Sequence, residues 1–336
     1  MSNPVLIEVW RGGRVESRHR GSVAIVDADG AMVFALGDVE RAVYPRSAIK
    51  AFQALPLIES GAVDRFKLDD EQIALACASH NGEPAHAATA ARTLKAAGLD
   101  VAALECGAHW PSREATARAL ARAGQEPSAL HNNCSGKHSG FVCAACAMGV
   151  DHHGYVDPTH PLQREVQAGI ERLAGVQLEA PAIDGCSAPN WPVPLRALAF
   201  AFARFGTGQG LAPETAKAAA RLRAACAAKP WFVAGTERFC TKEMQHFGTR
   251  VFVKTGAEGV FTGAFPDLGL GVALKVDDGT KRASEMMMAA MIARFVPLTE
   301  ADRTFLAPLL APVMTNWNGL EVGKLQATDA LMGARR

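Results

Sequence analysis

The chain has 336 residues, enough for one large domain or two ordinary ones. Its 35 Lys and Arg against 34 Asp and Glu leave a formal charge of +1, which excludes the whole-chain basic footprint of a nucleic-acid or anionic-membrane binder. Hydrophobic residues at 49% and charged residues at 21% match ordinary globular usage and exclude disordered and fibrous classes.

The opening Met1-Ser-Asn-Pro-Val-Leu-Ile-Glu-Val-Trp-Arg11 lacks the basic and long apolar stretches of a secretory leader. Apolar runs such as 141–150 fall well short of the ~18–20 residues that span a bilayer. Eight cysteines spread along a chain without an export signal read as reduced thiols, some able to hold metal. The expectation is a cytoplasmic protein with neither nucleic-acid nor membrane partners.

Strand-like segments come first. Val5-Leu-Ile-Glu-Val-Trp10, Arg14-Val-Glu-Ser-Arg18, Ser22-Val-Ala-Ile-Val26 and Ala31-Met-Val-Phe-Ala-Leu36 alternate or run apolar between glycine- and aspartate-rich turns. The middle changes character: 84–97, 113–123, 160–173 and 213–228 carry helical spacing, mostly in alanine-rich sequence of high helix propensity. Strand patterns return at 250–254, 259–265 and 269–276, and 281–295 reads as a helix. Strand groups at both ends predict an α/β (α+β) fold, with one antiparallel sheet covered by helices. The expected organisation is a single domain over 1–336 with a helical subregion at roughly 60–245.

Three short motifs carry candidate chemistry. Ser47-Ala-Ile-Lys50 follows Pro45 at a helix start, where i and i+3 share a face and the first-turn amides supply positive potential. A neutral Lys50 there could take the Ser47 proton, and burial or a second nearby cation would favour that neutral form. Ser79-His-Asn-Gly82 reads as a loop before the helix at Pro84, and Lys254-Thr-Gly256 ends a strand. The order S-x-x-K, S-x-N, K-T-G resembles penicillin-binding proteins and class A β-lactamases, except that His80 stands where those enzymes have aspartate. No separate deacylating glutamate is evident.

His131-Asn-Asn-Cys134-Ser-Gly-Lys137-His138 and Asp184-Gly-Cys186 form a second constellation. Two thiolates and a nitrogen suit zinc; ligand frequency favours His131 or His138, and lysine serves only when deprotonated. Spacing alone favours a glycine-bounded helix start with an incidental buried cysteine. Cys143-Ala-Ala-Cys146 reads as core packing. His152-His153 reads as a loop, and Gly206-Thr-Gly-Gln-Gly210 as a flexible connection.

Tyr44-Pro-Arg-Ser-Ala-Ile-Lys50, Ala76-Cys-Ala-Ser-His-Asn-Gly-Glu83, His131 to Gly140, Asp184-Gly-Cys-Ser-Ala-Pro-Asn190 and Val253-Lys-Thr-Gly-Ala-Glu-Gly259 together resemble the Rhizobium etli-type L-asparaginases. The likeness runs from the first strands to about Phe295. It implies a serine β-lactamase-like fold, hydrolysis of L-asparagine to L-aspartate and ammonia, two Ser–Lys pairs (Ser47 with Lys50, Ser79 with Lys254) and a homodimer. It also implies zinc on Cys134, Lys137 and Cys186, which displaces the histidine ligand and the incidental-cysteine reading. Arg46, His80, Asn81 and Asp184 are the candidate substrate contacts; an ordinary Arg46 or Asp184 ion pair is the competing reading. The rival functions are a glutaminase or β-lactamase-like serine hydrolase, and a non-catalytic zinc- or amino-acid-binding protein.

Overall fold

A computed structural model of the chain describes residues 2–333. Its main sheet holds eight strands: β1 (Val5–Arg11), β2 (Arg14–Asp27), β3 (Met32–Leu36), β4 (Phe252–Thr255), β5 (Val260–Phe265), β6 (Leu270–Val276), β7 (Val313–Thr315) and β8 (Glu321–Ala327). The order is β7-β8-β1-β2-β6-β5-β4, with β3 also on β2, and every pairing is antiparallel. N- and C-terminal strands join where β2 meets β6, from Leu270 opposite Asp27 to Val276 opposite Gly21. The expected sheet of terminal strands covered by helices is the observed one.

Two expected strands, 14–18 and 22–26, are one strand of 14 residues. Gly21 makes this possible, because a Cβ there would lie 2.4 Å from Lys275 O. β2 pairs with β1 before this point and with β6 after it, so the glycine lets a single strand serve both halves of the sheet.

Two glycines also show how the sheet is covered. A Cβ on Gly271 would meet Ala199 O at 2.0 Å, so the helix Leu195–Thr207 lies backbone to backbone against β6. Val272, one residue on, points to the opposite face and pairs with Gly263, which sits against Met288 of the helix Lys281–Phe295. Helices therefore pack on both faces. That second helix is buried nearly all round, including Met286, Met287, Met288 and Met291.

The remaining expected helices form at Pro84–Ala96, Glu114–Arg122, Pro161–Ala174 and Pro213–Ala228. The segment after Pro45 is more broken than expected: a 3₁₀ turn at Arg46–Ile49, one α-turn at Lys50–Gln53, then Leu55–Glu59. Pro56 lacks an amide hydrogen and is tolerated only in the first turn, which restarts the helix there. Phe52 anchors the piece, its ring 4.4 Å from Phe202 and 5.5 Å from Phe205. Complete burial of such a side chain contributes about 2–3 kcal/mol. One hydrophobic cluster continues from Leu6 through Phe52 and Phe261 to Met291.

The strand expected at 250–254 starts at Phe252, since Gly248–Arg250 is a 3₁₀ turn. Among the described residues no helix is long and apolar enough to cross a membrane.

Candidate active site

Ser47 sits in the 3₁₀ turn, where side chains three apart eclipse, so Ser47 and Lys50 occupy the same side. The turn is held from several directions. Thr262 Oγ1 on β5 lies 3.1 Å from Ala48 O and 3.3 Å from Lys254 O. Gly256 passes so close that a Cβ would stand 2.6 Å from Pro45 O. Arg46 adopts φ +52°, a left-handed conformation that costs a non-glycine residue about 1–3 kcal/mol. It is kept there by its amide on Asn190 Oδ1 (3.3 Å) and its guanidinium on Asp184 Oδ1 (2.9 Å from Nε, 2.8 Å from Nη2).

Lys50 is 1% exposed, and its Nζ lies 2.5 Å from Ala78 O and 3.4 Å from Asn133 O. Both carbonyls accept from this amine and fix its position. Among the described residues no hydrogen bond joins Lys50 Nζ to Ser47 Oγ; the pair shares a side of the turn without being bonded.

The second pair is bonded. Lys254, next to last in β4, is also 1% exposed, with Nζ 3.0 Å from Ser79 Oγ and 3.0 Å from Thr255 O. Burial, then the charge of Lys50, push its amine down to about 7 from an ordinary 10.5. A good fraction of this lysine is therefore neutral near pH 7 and can accept a proton from the hydroxyl it touches. Ser79 is fixed through its amide on Val233 O (3.0 Å) and its carbonyl, which accepts from Arg238 Nη1 (3.3 Å).

The two residues after Ser79 have their hydrogen-bonding groups engaged by protein. Fully buried His80 accepts the Gly82 amide on Nδ1 (3.1 Å), so its proton is on Nε2 and is donated to Ser135 Oγ (3.0 Å). Burial, followed by neighbouring His86 and Lys50, drives its pKa well down, and the ring is neutral. Asn81 donates to Thr236 O (3.0 Å) and accepts from Arg238 (3.0 Å) and Ser112 (3.3 Å). Arg46 and Asp184 neutralise each other. All four candidate substrate contacts are thus tied to protein partners.

Cys134, Lys137 and Cys186 converge in the interior. The helix Ser135–Met148 approaches the helix Asp70–Ala76 at Gly136, where a Cβ would lie 2.3 Å from Leu75 O. This carries Cys134 and Lys137 to the core beside the loop holding Cys186. Lys137 Nζ lies 3.2 Å from Cys186 Sγ. Neighbouring Cys134, then the charge of Lys137, pulls the Cys186 thiol well down, while Cys186 and burial push Cys134 up; the Cys134 Sγ hydrogen bond goes to Asn133 Oδ1 at 3.1 Å. Burial pulls Lys137 down, and the two sulfurs more than offset it. Two sulfurs and an amine in one buried cluster are a donor set that suits zinc. His131 Nδ1 accepts the Ser128 amide (3.0 Å), whereas His138 Nδ1 lies 2.7 Å from Tyr155 Oη and leaves its buried Nε2 without a hydrogen-bond partner beside Cys186.

Cys143 is buried and faces Thr93 O at 3.4 Å, as core packing requires. Asp151, His152 and His153 bring ligand atoms within 4.8 Å of one another on a surface loop. Sequence reasoning missed Arg238, Thr262 and Asn133, which hold the reactive groups in place. They lie outside the short motifs or, for Asn133, contribute a backbone carbonyl that no side-chain pattern marks.

The sequence pattern of the L-asparaginase II family matches residues 7–327, nearly the whole chain. The protein is therefore an asparaginase-type hydrolase with a small-molecule substrate. It belongs to the L-asparaginase II family. No curated protein sequence is similar enough to count as a match. Similar solved structures include a β-lactamase from Mycobacterium bovis (14% identity, 77% of this chain and 88% of that one, TM-score 0.36). Another is the protein Mglu (14% identity, 78% of this chain and 62% of that one, TM-score 0.36). The chemistry below rests on neither.

Proposed function

We propose that the protein is a Rhizobium etli-type L-asparaginase hydrolysing L-asparagine to L-aspartate and ammonia through an acyl-enzyme on Ser47. The observation that carries this reading is the turn that sets Ser47 on the same side as buried Lys50, next to the buried Ser79–Lys254 pair, in a chain of the asparaginase family. Ser47 Oγ attacks the side-chain amide carbon while its proton passes to the Lys50 lone pair. The carbon–nitrogen bond then breaks, and ammonia leaves with a proton relayed through Lys254 and Ser79. Water then cleaves the ester: one of its protons passes through Ser79 to Lys254, the proton held on Lys50 returns to Ser47 Oγ as the carbon–oxygen bond breaks, and L-aspartate is released. Backbone amides at the start of the turn are candidate oxyanion donors, a role worth ~3–4 kcal/mol where measured elsewhere.

Cys134, Lys137 and Cys186 would hold zinc, which when bound supplies a fixed positive centre that orients the substrate. A homodimer, cytoplasmic residence and a single domain belong to the same proposal. A second reading makes Ser79 the nucleophile, because its hydroxyl is the one bonded to the near-neutral lysine.

Ammonia release from L-asparagine and L-glutamine, beside turnover of a chromogenic β-lactam, tests the substrate. Preference for asparagine, lost in Ser47→Ala, is expected. Equal or greater glutamine or β-lactam turnover would overturn the assignment.

A further inference from the structure

Arg238 is half-buried and sits at the junction of the site. Its Nη1 donates to Ser79 O at 3.3 Å and to Asn81 Oδ1 at 3.0 Å. Both acceptors are neutral, and among the described residues no carboxylate lies within salt-bridge distance of this guanidinium. Other cations around the site differ. Arg46 is neutralised by Asp184, and Lys137 by Cys186. Arg113 stands 3.9 Å from Glu83, while Lys50 and Lys254 face hydroxyl and carbonyl groups in the interior. Arg238 alone of these arginines brings an uncompensated fork to within one residue's backbone of the Ser79 hydroxyl.

Its position is rigidly prepared. Gly235 holds φ +107°, and a Cβ there would lie 2.8 Å from both Asn81 Nδ2 and Glu83 Oε1, so no side chain can stand at the base of this loop. Glu83 then clamps Thr236 through its amide (2.8 Å) and hydroxyl (2.9 Å). Glu237 follows at φ +63°. Two unusual backbone conformations and a buried carboxylate clamp thus present one unpaired guanidinium. A planar fork with spare N–H groups matches a carboxylate in geometry and charge.

We propose that Arg238 recognises the α-carboxylate of the amino-acid substrate and so restricts the site to amides that carry one. This rests on the asparaginase reading above and adds the determinant of substrate class. It also explains why Arg46, already paired, need not serve that end of the substrate.

The test is a substrate–variant cycle. L-asparagine and 3-aminopropanamide, the same amide without its α-carboxylate, are assayed with the wild type, Arg238→Gln and Arg238→Lys. KM for L-asparagine is expected to rise about 10–100-fold in R238Q and less in R238K, as loss of one charged hydrogen bond predicts. Turnover of 3-aminopropanamide, slow in the wild type, should fall by a much smaller factor in both variants than kcat/KM for L-asparagine, because that substrate has no carboxylate to lose. Binding of L-aspartate to Ser47→Ala and to Ser47→Ala/Arg238→Gln, by calorimetry, should weaken by the same factor. A fall in kcat for both substrates at unchanged KM, or equal aspartate binding, would make Arg238 a positioning residue for Ser79 and overturn the proposal. Absence of asparagine hydrolysis by the wild type would instead overturn the functional reading on which it stands.

Discussion

Replacing Lys254 by methionine removes a buried amine while keeping a side chain of similar length. Lowering that amine from 10.5 to about 7 corresponds to about 5 kcal/mol at ~1.4 kcal/mol per pH unit. Between these values the unfolded chain holds a proton on this lysine that the folded chain does not. Wild-type stability therefore gains from this group as pH rises through the window, and the cost is fully present below it. Lys254→Met has no such dependence. Urea unfolding of both proteins across the window should show the wild type gaining about 2 kcal/mol on the variant between about pH 7 and about pH 9. Loss of the Ser79 and Thr255 hydrogen bonds adds an offset of about 1 kcal/mol each that does not vary with pH. Buried thiols such as Cys106 and Cys143, both pushed up to about 12, titrate in both proteins and cancel. A stability difference flat with pH would mean that Lys254 stays charged in the folded state and cannot take a proton from Ser79.

Glu243 is fully buried with both carboxylate oxygens unpartnered, and burial pushes it up to about 8. Its folded form is protonated where the unfolded form is ionised, so stability falls as pH rises from about 4.5 toward about 8. Glu243→Gln should stabilise by up to about 3 kcal/mol near pH 7 and by little near pH 5, measured by urea denaturation; a loss of stability at neutral pH would refute this. Gly271→Ala places a methyl into the backbone of the helix Leu195–Thr207 and should cost about 3 kcal/mol or more in thermal or urea unfolding. An unchanged midpoint would contradict the packing described for that face. Cys134→Ser, dialysed beside the wild type and read by elemental analysis, should lose zinc that the wild type retains; equal zinc content would remove Cys134 from the ligand set.

Patterns that depend on neighbours along the chain were legible, and those that depend on distant backbone were not. The helices expected at 84–97, 113–123, 160–173, 213–228 and 281–295 formed to within a residue or two, because helix-favouring sequence dictates them locally, whereas Leu195–Thr207 and Glu300–Leu310 went unread. The join between terminal strands followed from their apolar pattern. The continuity of β2 did not, because a glycine inside a strand looks like a turn until the approach of Lys275 O explains it. β7 and β8, which extend the sheet beyond β1, were overlooked after Phe295 although Asn318-Gly319 is a hairpin signal between alternating residues. In the site, the positions of Ser47, Lys50, Ser79 and Lys254 were marked by motif spacing, whereas the pairing of Arg46 with Asp184 joins residues 138 apart. No local pattern reveals such a contact.

The chemistry turns on which oxygen carries the acyl group. Rapid quenching of the enzyme during L-asparagine turnover, followed by peptide mass mapping, should find a β-aspartyl ester on Ser47. An ester on Ser79 would transfer the nucleophile to the Lys254 pair, and no ester on either serine would contradict covalent catalysis.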